Sequence, residues 1–195
     1  LLEEVPLPRP DYIIGGVGTM LHAKERSDLE SAYTHSLGTG FDPKKIADVM
    51  SAVPGVTMQE ERYQHSLKSS WFLHDADEKA LADIENALRA ADIDARIVYS
   101  SGRDLDILPK AADKGAALAW LCGQLRIGLD ESVVAGDTGN DRAMFELSGV
   151  RGVIVGNALR ELVSLADGNS RLFLSDATEA DGVVEGLRHW GLRPL

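Results

Sequence analysis

From Lys114 onward the chain alternates helical stretches with short strands that carry apolar residues on both sides, and no other feature restricts its fold as much. Lys114 to Arg126 sets Ala117, Leu118, Leu121 and Leu125 on one helical face. Ser132 to Ala135 reads as a strand running into a Gly-Asp turn, Asp141 to Leu147 as a helix, and Val150 to Val155 as a β-branched strand. Ala158 to Ala166 is helical, Arg171 to Leu174 a strand, and Glu179 to Trp190 a closing helix. Strands without polar alternation must be covered on both faces, so the spacing predicts a Rossmann-like α/β core built on a parallel sheet. Asp11 to Val17 is expected to add one more strand to that sheet.

Residues 20–108 have a different texture. Helices are predicted at Asp28–Ser36, Pro43–Ser51 and Asp77–Ala91. The runs Val56–Tyr63 and Leu67–His74 alternate polar and apolar residues, as strands with one wet face do. Strands Ala95–Ser100 and Asp104–Leu108 complete an α+β insert. The organisation read from this is part of a core over residues 1–19, a cap domain over 20–108, and the rest of the core over 109–195. The opening Leu1-Leu2-Glu3-Glu4 reads as the end of an amphipathic helix, which places the chain inside a longer protein.

Charge narrows the ligand. With 31 acidic against 20 basic residues the formal net charge is -11, which opposes nucleic acid as a partner. Any anion must then be held locally, by a metal ion, a lysine or exposed backbone N–H groups. No apolar run approaches the ~18 residues of a membrane span. The single cysteine, Cys122, sits in an apolar helical stretch; it permits no disulfide within the chain and suits a cytoplasmic protein. His22, His35, His74 and His189 show no zinc-ligand spacing.

The segment Val133-Val134-Ala135-Gly136-Asp137-Thr138-Gly139-Asn140-Asp141 carries the strongest chemical signal. In an open α/β sheet, ligands bind at the carboxyl ends of strands. Asp137 and Asp141 flank a tight turn there and are placed to share one hard cation. The same residues would also serve as a helix N-cap and a first-turn acid. A second signal is Asp113-Lys114-Gly115, which opens the preceding helix. A lysine at a helix start opposes the helix dipole, which makes sense if its ammonium faces a phosphate or a carboxylate.

These residues resemble the haloacid dehalogenase superfamily of phosphatases, with Lys114 matching its third motif and Gly136-Asp137 to Asn140-Asp141 its fourth. Tyr99-Ser100-Ser101-Gly102-Arg103-Asp104-Leu105-Asp106-Ile107-Leu108-Pro109, with Val17-Gly18-Thr19 and Leu67-Lys68-Ser69-Ser70, narrows the resemblance to the sucrose-phosphate phosphatase group. The resemblance implies an aspartyl-phosphate mechanism, one Mg²⁺ and a sugar-binding cap. The implied substrate is a disaccharide phosphate, mannosylfructose phosphate ahead of sucrose phosphate, and a cognate glycosyltransferase (synthase) is the implied protein partner. By position, Asp137 would ligate Mg²⁺, with Asp141 ligating through water or supporting that shell. Lys114 would steady nucleophile and phosphoryl group, and Thr138 and Asn140 would bind phosphate or orient Asp137. In the cap, Lys68, His65, Gln64, Asp104 and Asp106 are the candidates for sugar recognition, since hydroxyls are read by amides, carboxylates and ammoniums.

The resemblance also exposes a departure. The family's nucleophile lies on a strand ending in Asp-x-Asp-x-Thr or Val, and that strand is expected before Leu1. Trp71-Phe72-Leu73-His74-Asp75-Ala76-Asp77 imitates it, but position 79 is Lys and no room remains for a cap before Lys114. Asp75 and Asp77 are therefore read as a turn and a helix start. By itself the 195-residue chain is expected to release no phosphate. The alternatives weighed are a non-catalytic phosphatase-like module of a synthase, and a phosphotransferase or phosphomutase using the same metal site.

Overall fold

The computed structural model describes residues 10–38 and 40–193; the helix end read at Leu1–Glu4 lies outside them. Tyr12–Gly15 forms β1, but it does not join the parallel sheet. The chain reverses at once and β1 pairs antiparallel with β2 (Met20–Ala23), Ile13 opposite His22. The reversal uses three successive positive φ angles, 58° at Gly16, 58° at Val17 and 93° at Gly18. Glycine takes that region freely whereas valine does so only under constraint. This hairpin corrects the expectation of a parallel strand over Asp11–Val17. Helix α1 (Ser27–Ser36) buries Leu29 and Tyr33 against the hairpin's Leu21 and Ala23. The Tyr33 hydroxyl donates to the Gly18 carbonyl, and burial pushes its pKa up to about 12, so it remains a donor.

A second apolar cluster builds the cap. Asp42 caps α2 (Pro43–Met50), its carboxylate accepting from Lys44 N at 2.9 Å, and Asp77 caps α3 (Glu78–Ala90), accepting from Ala80 N at 2.7 Å. Between and after these helices run β3 (Thr57–Met58), β4 (Ser69–Phe72), β5 (Ala95–Ser100) and β6 (Asp104–Pro109). They form an antiparallel sheet of order β3-β4-β6-β5. Alternation does the rest: Trp71, Leu105 and Ile107 pack under Ile46, Met50, Ile84 and Leu88 of the two helices, and Ser70, Asp104 and Asp106 take the other strand positions. The strand expected over Val56–Tyr63 is cut to two residues. Beyond it the Gln64 side chain stands in for a backbone partner, with Oε1 accepting from Ser70 N at 2.8 Å and Nε2 donating to Ser70 O at 2.7 Å. Residues 20–37 have the insert's texture in sequence, yet their apolar side chains share a cluster with β1 and the helix that follows the cap, whereas the cap's own cluster runs from Phe41 to Ile107.

That following helix is α4 (Lys114–Leu125), capped by Asp113. After it come β7 (Val133–Gly136), α5 (Arg142–Phe145), β8 (Arg151–Ile154), α6 (Arg160–Val163), β9 (Leu172–Leu174) and α7 (Glu179–His189). The strands β7-β8-β9 are parallel, as the apolar runs require, and their carboxyl ends lie on one side of the sheet. Cys122 is a buried residue of α4. Helix α7 approaches β8 so closely that a Cβ at Gly186 would fall 2.3 Å from Val153 Cγ1. Replacing Gly186 by alanine should therefore push α7 off the sheet and cost about 1–3 kcal/mol, read by denaturant unfolding; an unchanged midpoint would contradict the close helix–sheet contact.

Candidate active site

Strand β7 delivers Asp137 to the carboxyl edge of the sheet, and one 3-10 turn over Gly139–Asp141 leads into α5. The turn is folded around the carboxylate of Asp141, which is 6% exposed. Its Oδ2 accepts from the backbone N–H groups of Asp137 at 3.2 Å and Thr138 at 3.4 Å. Its Oδ1 accepts from Lys114 Nζ at 2.5 Å. The same ammonium donates to Asn140 Oδ1 at 2.7 Å, and Thr138 Oγ1 donates to that oxygen at 3.0 Å. Lys114, Thr138, Asn140 and Asp141 thus form one network around the loop that begins at Asp137.

Two glycines permit this convergence. A Cβ at Gly136 would lie 2.6 Å from Asp141 Oδ2, and one at Gly115 would lie 2.3 Å from the Ala143 carbonyl oxygen. The first lets the carboxylate fold under the strand end. The second seats α4 directly on α5, which brings Lys114 to the loop. Outside the network, Glu161 Oε1 accepts from Gly139 N at 2.8 Å and Leu159 N donates to the Asp137 carbonyl at 2.8 Å.

Asp137 is the contrasting carboxylate: no described residue makes a hydrogen bond or ion pair to its side chain. A Mg²⁺ ion is usually held by one or two carboxylates together with waters and substrate phosphate, rather than by an all-protein cage. Among the described residues no group of three or more His, Cys, Asp or Glu is arranged to hold a metal. A disengaged carboxylate beside loop oxygens, with an ammonium for company, fits an ion of the first kind and not a closed site.

On the cap side, Lys68 Nζ lies 3.2 Å from Asp106 Oδ1, and both side chains are only 12% exposed. Ser70 Oγ donates to the same oxygen at 2.6 Å. Asp104 Oδ1 accepts from Gln59 Nε2 at 3.2 Å and Arg103 Nε at 3.3 Å. Gln64 is committed to the β4 edge and His65 to a contact with Thr19 at 2.9 Å. A cleft of about 240 Å³ runs from Gln59, Phe72, Arg103, Asp104 and Asp106 of the cap to Asn140 of the loop, joining the two groups. A larger cleft of about 750 Å³, between α1 and the cap's 65–67 segment, has none of the loop residues in its wall. Chemistry, not size, therefore selects the smaller one. The structure brings the loop and the lysine together, and adds Glu161 and Gln59, which no motif singles out. Glu161 and Gln59 carry no local signal, because their partners lie far along the chain. Asp77 is the α3 cap and Asp75 a turn residue at φ 50°, as read from the sequence.

An α/β core with a lysine–carboxylate network at the strand ends and an α+β insert beside it has known counterparts. The family model of sucrose-6F-phosphate phosphohydrolase matches residues 1–191, and the chain belongs to that family. Mannosylfructose-phosphate phosphatase of Agrobacterium fabrum is 83% identical over 194 residues, covering 100% of this chain and 78% of that protein. Sucrose-phosphatase 1 of Nicotiana tabacum is 32% identical over 202 residues, again 100% of this chain but 48% of the relative, so the chain spans about half of that protein. Among solved structures, sucrose-phosphatase from Synechocystis in complex with sucrose and phosphate superposes with a TM-score of 0.85 at 27% identity, over 97% of this chain and 78% of that one. A sugar phosphatase of haloacid dehalogenase subclass IIB shares the fold, with a TM-score of 0.67 at 17% identity over 93% and 76% of the two chains. The architecture is of the haloacid dehalogenase type, in a family of phosphoric monoester hydrolases.

The two loop carboxylates should separate in stability measurements. Asp141→Ala leaves buried donors without an acceptor and should cost about 1–3 kcal/mol, whereas Asp137→Ala should stay within about 0.5 kcal/mol of the parent. Equal losses in denaturant unfolding would refute the division.

Proposed function

We propose that this chain supplies the metal- and phosphate-binding loop and the sugar-recognising cap of a Mg²⁺-dependent phosphatase. Its substrate in this reading is mannosylfructose 6-phosphate, hydrolysed to free disaccharide and phosphate. The observation that carries the reading is the convergence of Lys114 on Asn140 and Asp141, at 2.7 and 2.5 Å, beside the disengaged carboxylate of Asp137. The choice of substrate is supported by the relative at 83% identity, which is a mannosylfructose-phosphate phosphatase.

Each residue has a distinct task. The Asp137 carboxylate would hold the metal, and Asp141 keeps the loop folded and the ammonium aimed. Lys114 neutralises charge on the non-bridging phosphoryl oxygens, where positioned charge in a site of low dielectric is most effective. Asn140, which accepts from both Lys114 and Thr138, would hold the ammonium toward the phosphoryl group, with Thr138 fixing the amide. A bound Mg²⁺ supplies Lewis-acid neutralisation of the same oxygens. The nucleophilic aspartate, which would form the aspartyl phosphate, is placed in the part of the relatives' length that this chain does not span. Lys68 and Asp106 are suited to disaccharide hydroxyls, because a poorly solvated ammonium–carboxylate pair offers both donors and acceptors. A phosphorylated disaccharide can be supplied by glycosyl transfer onto a sugar phosphate, and a cognate synthase is the expected partner.

Phosphate release by the full-length protein, with mannosylfructose 6-phosphate and sucrose 6-phosphate in parallel, tests the reading. The first should be turned over with the higher kcat/KM and only with Mg²⁺; preference for the second would move the chain to sucrose phosphate, and no turnover of either would favour a binding module. Asp137→Asn should raise the Mg²⁺ needed for half-maximal activity and lower kcat by roughly 10²-fold or more. Unaltered Mg²⁺ dependence would remove Asp137 from the site.

A further inference from the structure

His65 stands at the edge of the cap, where His65 and Lys68 exchange backbone hydrogen bonds at 3.1 Å and close the turn leading into β4. Its ring is held at both nitrogens. Nδ1 faces the Leu67 amide at 3.2 Å, and an amide N–H only donates, so Nδ1 carries no proton. Nε2 therefore holds the ring proton and donates it to Thr19 Oγ1 at 2.9 Å. Thr19 is 2% exposed and passes its own hydroxyl proton to the Gly16 carbonyl at 2.7 Å. The donor chain Leu67, His65, Thr19, Gly16 crosses from the cap to the core hairpin.

The receiving turn has little freedom to yield. A Cβ at Gly16 would lie 2.4 Å from Thr19 Oγ1 and 2.7 Å from His65 Nε2. On its other side, a Cβ at Gly18 would lie 2.3 Å from the Asp113 carbonyl carbon and 2.8 Å from Lys114 N. The imidazole thus ends on a loop that abuts the first residue of α4, and that residue is Lys114.

We infer that His65 is a positioning residue, which sets the cap against the catalytic loop through Thr19 and the Gly16–Gly18 turn and does not contact the sugar. This rests on the reading of Lys114 given under the proposed function. The charged and titratable groups around the ring agree with a neutral latch. Burial and the neighbouring Lys68 hold the His65 pKa below its ordinary 6.5, with Asp106 of β6 opposing them. The core turn offers only uncharged Thr19 and Gly16, and Glu30 and His35 of α1 line the adjoining cleft. Protonation would place a second donor at Nδ1 against the Leu67 N–H. Because the native pKa is lowered, the unfolded chain binds the proton first; the latch contributes fully above pH 6.5 and is lost as pH falls through the lower native value.

Two measurements on the full-length protein test this. Nitrogen-detected NMR of the His65 ring needs no activity: the expected result is the Nε2–H tautomer at pH 7.5 with a Leu67 amide protected from exchange. An Nδ1–H tautomer, or titration at or above 6.5, overturns the latch. In kinetics, His65→Ala and Thr19→Val should each lower kcat about 10-fold (~1.4 kcal/mol) and the double variant no further, since contacting residues are not additive. His65→Gln, which keeps a donor near Nε2, should recover most of the rate and lose the decline of kcat below pH 6.5. Additive losses, or a raised KM at unchanged kcat, overturn the proposal. If the parent protein itself fails to turn over a sugar phosphate, the functional reading fails while the NMR result still decides the latch.

Discussion

The Lys114–Asp141 contact at 2.5 Å is the constraint on which the site is built. A lysine at a helix start has the helix dipole against it and solvent competing for it. Here its partner comes from another element, and the second oxygen of that partner folds the turn after β7. One carboxylate therefore fixes the start of α4, the end of β7 and the entry to α5 together. A poorly solvated ion pair is a weak source of net stability, since the loss of hydration offsets much of the attraction. Its effect is geometric: it holds a positive charge at the strand ends of a chain whose net charge is -11. Without such a fixture, the bulk field of the molecule would turn a phosphate away.

The same constraint assigns the two aspartates different tasks. Asp141 has both oxygens occupied by donors of the protein itself, so it organises. Asp137 meets no such donor among the described residues, which is what its proposed role as a ligand requires. The cap divides in the same manner. Gln64 is used to extend a strand edge, while Lys68, Ser70 and Asp106 form a small polar network on the sheet face opposite the two helices. Polar groups in such a network favour a ligand able to replace each bond it breaks, and a polyol does so.

What the sequence made legible follows from how local the physics is. Apolar strands without alternation announced the β7-β8-β9 layer, and strands with alternation announced the cap sheet. Asp42, Asp77 and Asp113 act as helix caps within three residues of the N–H groups they serve. The direction of β1 was not legible, because an apolar run looks alike in a hairpin and in a parallel layer, and Val17 at φ 58° breaks the expectation that only glycine turns this way. The loss of strand after Met58 was hidden for a related reason: a side-chain amide supplies the partner that periodicity assigns to the backbone. The partner of His65, Thr19, lies 46 residues away, so no local pattern announces their contact. Lys114 and Asp141 were recognisable because each motif sits at the start of a helix, even though 27 residues separate them.

Cap and core are joined on both sides of Lys114, and the two contacts differ in kind. Arg96 of β5 forms an ion pair with Asp113, the residue that caps α4, and the arginine side chain is 42% exposed. A pair that wet contributes about 0–1 kcal/mol and weakens further in salt. The His65–Thr19 bond is uncharged and ends on a residue that solvent barely reaches. The two contacts therefore answer differently to conditions: salt weakens the exposed ion pair and leaves the neutral bond untouched.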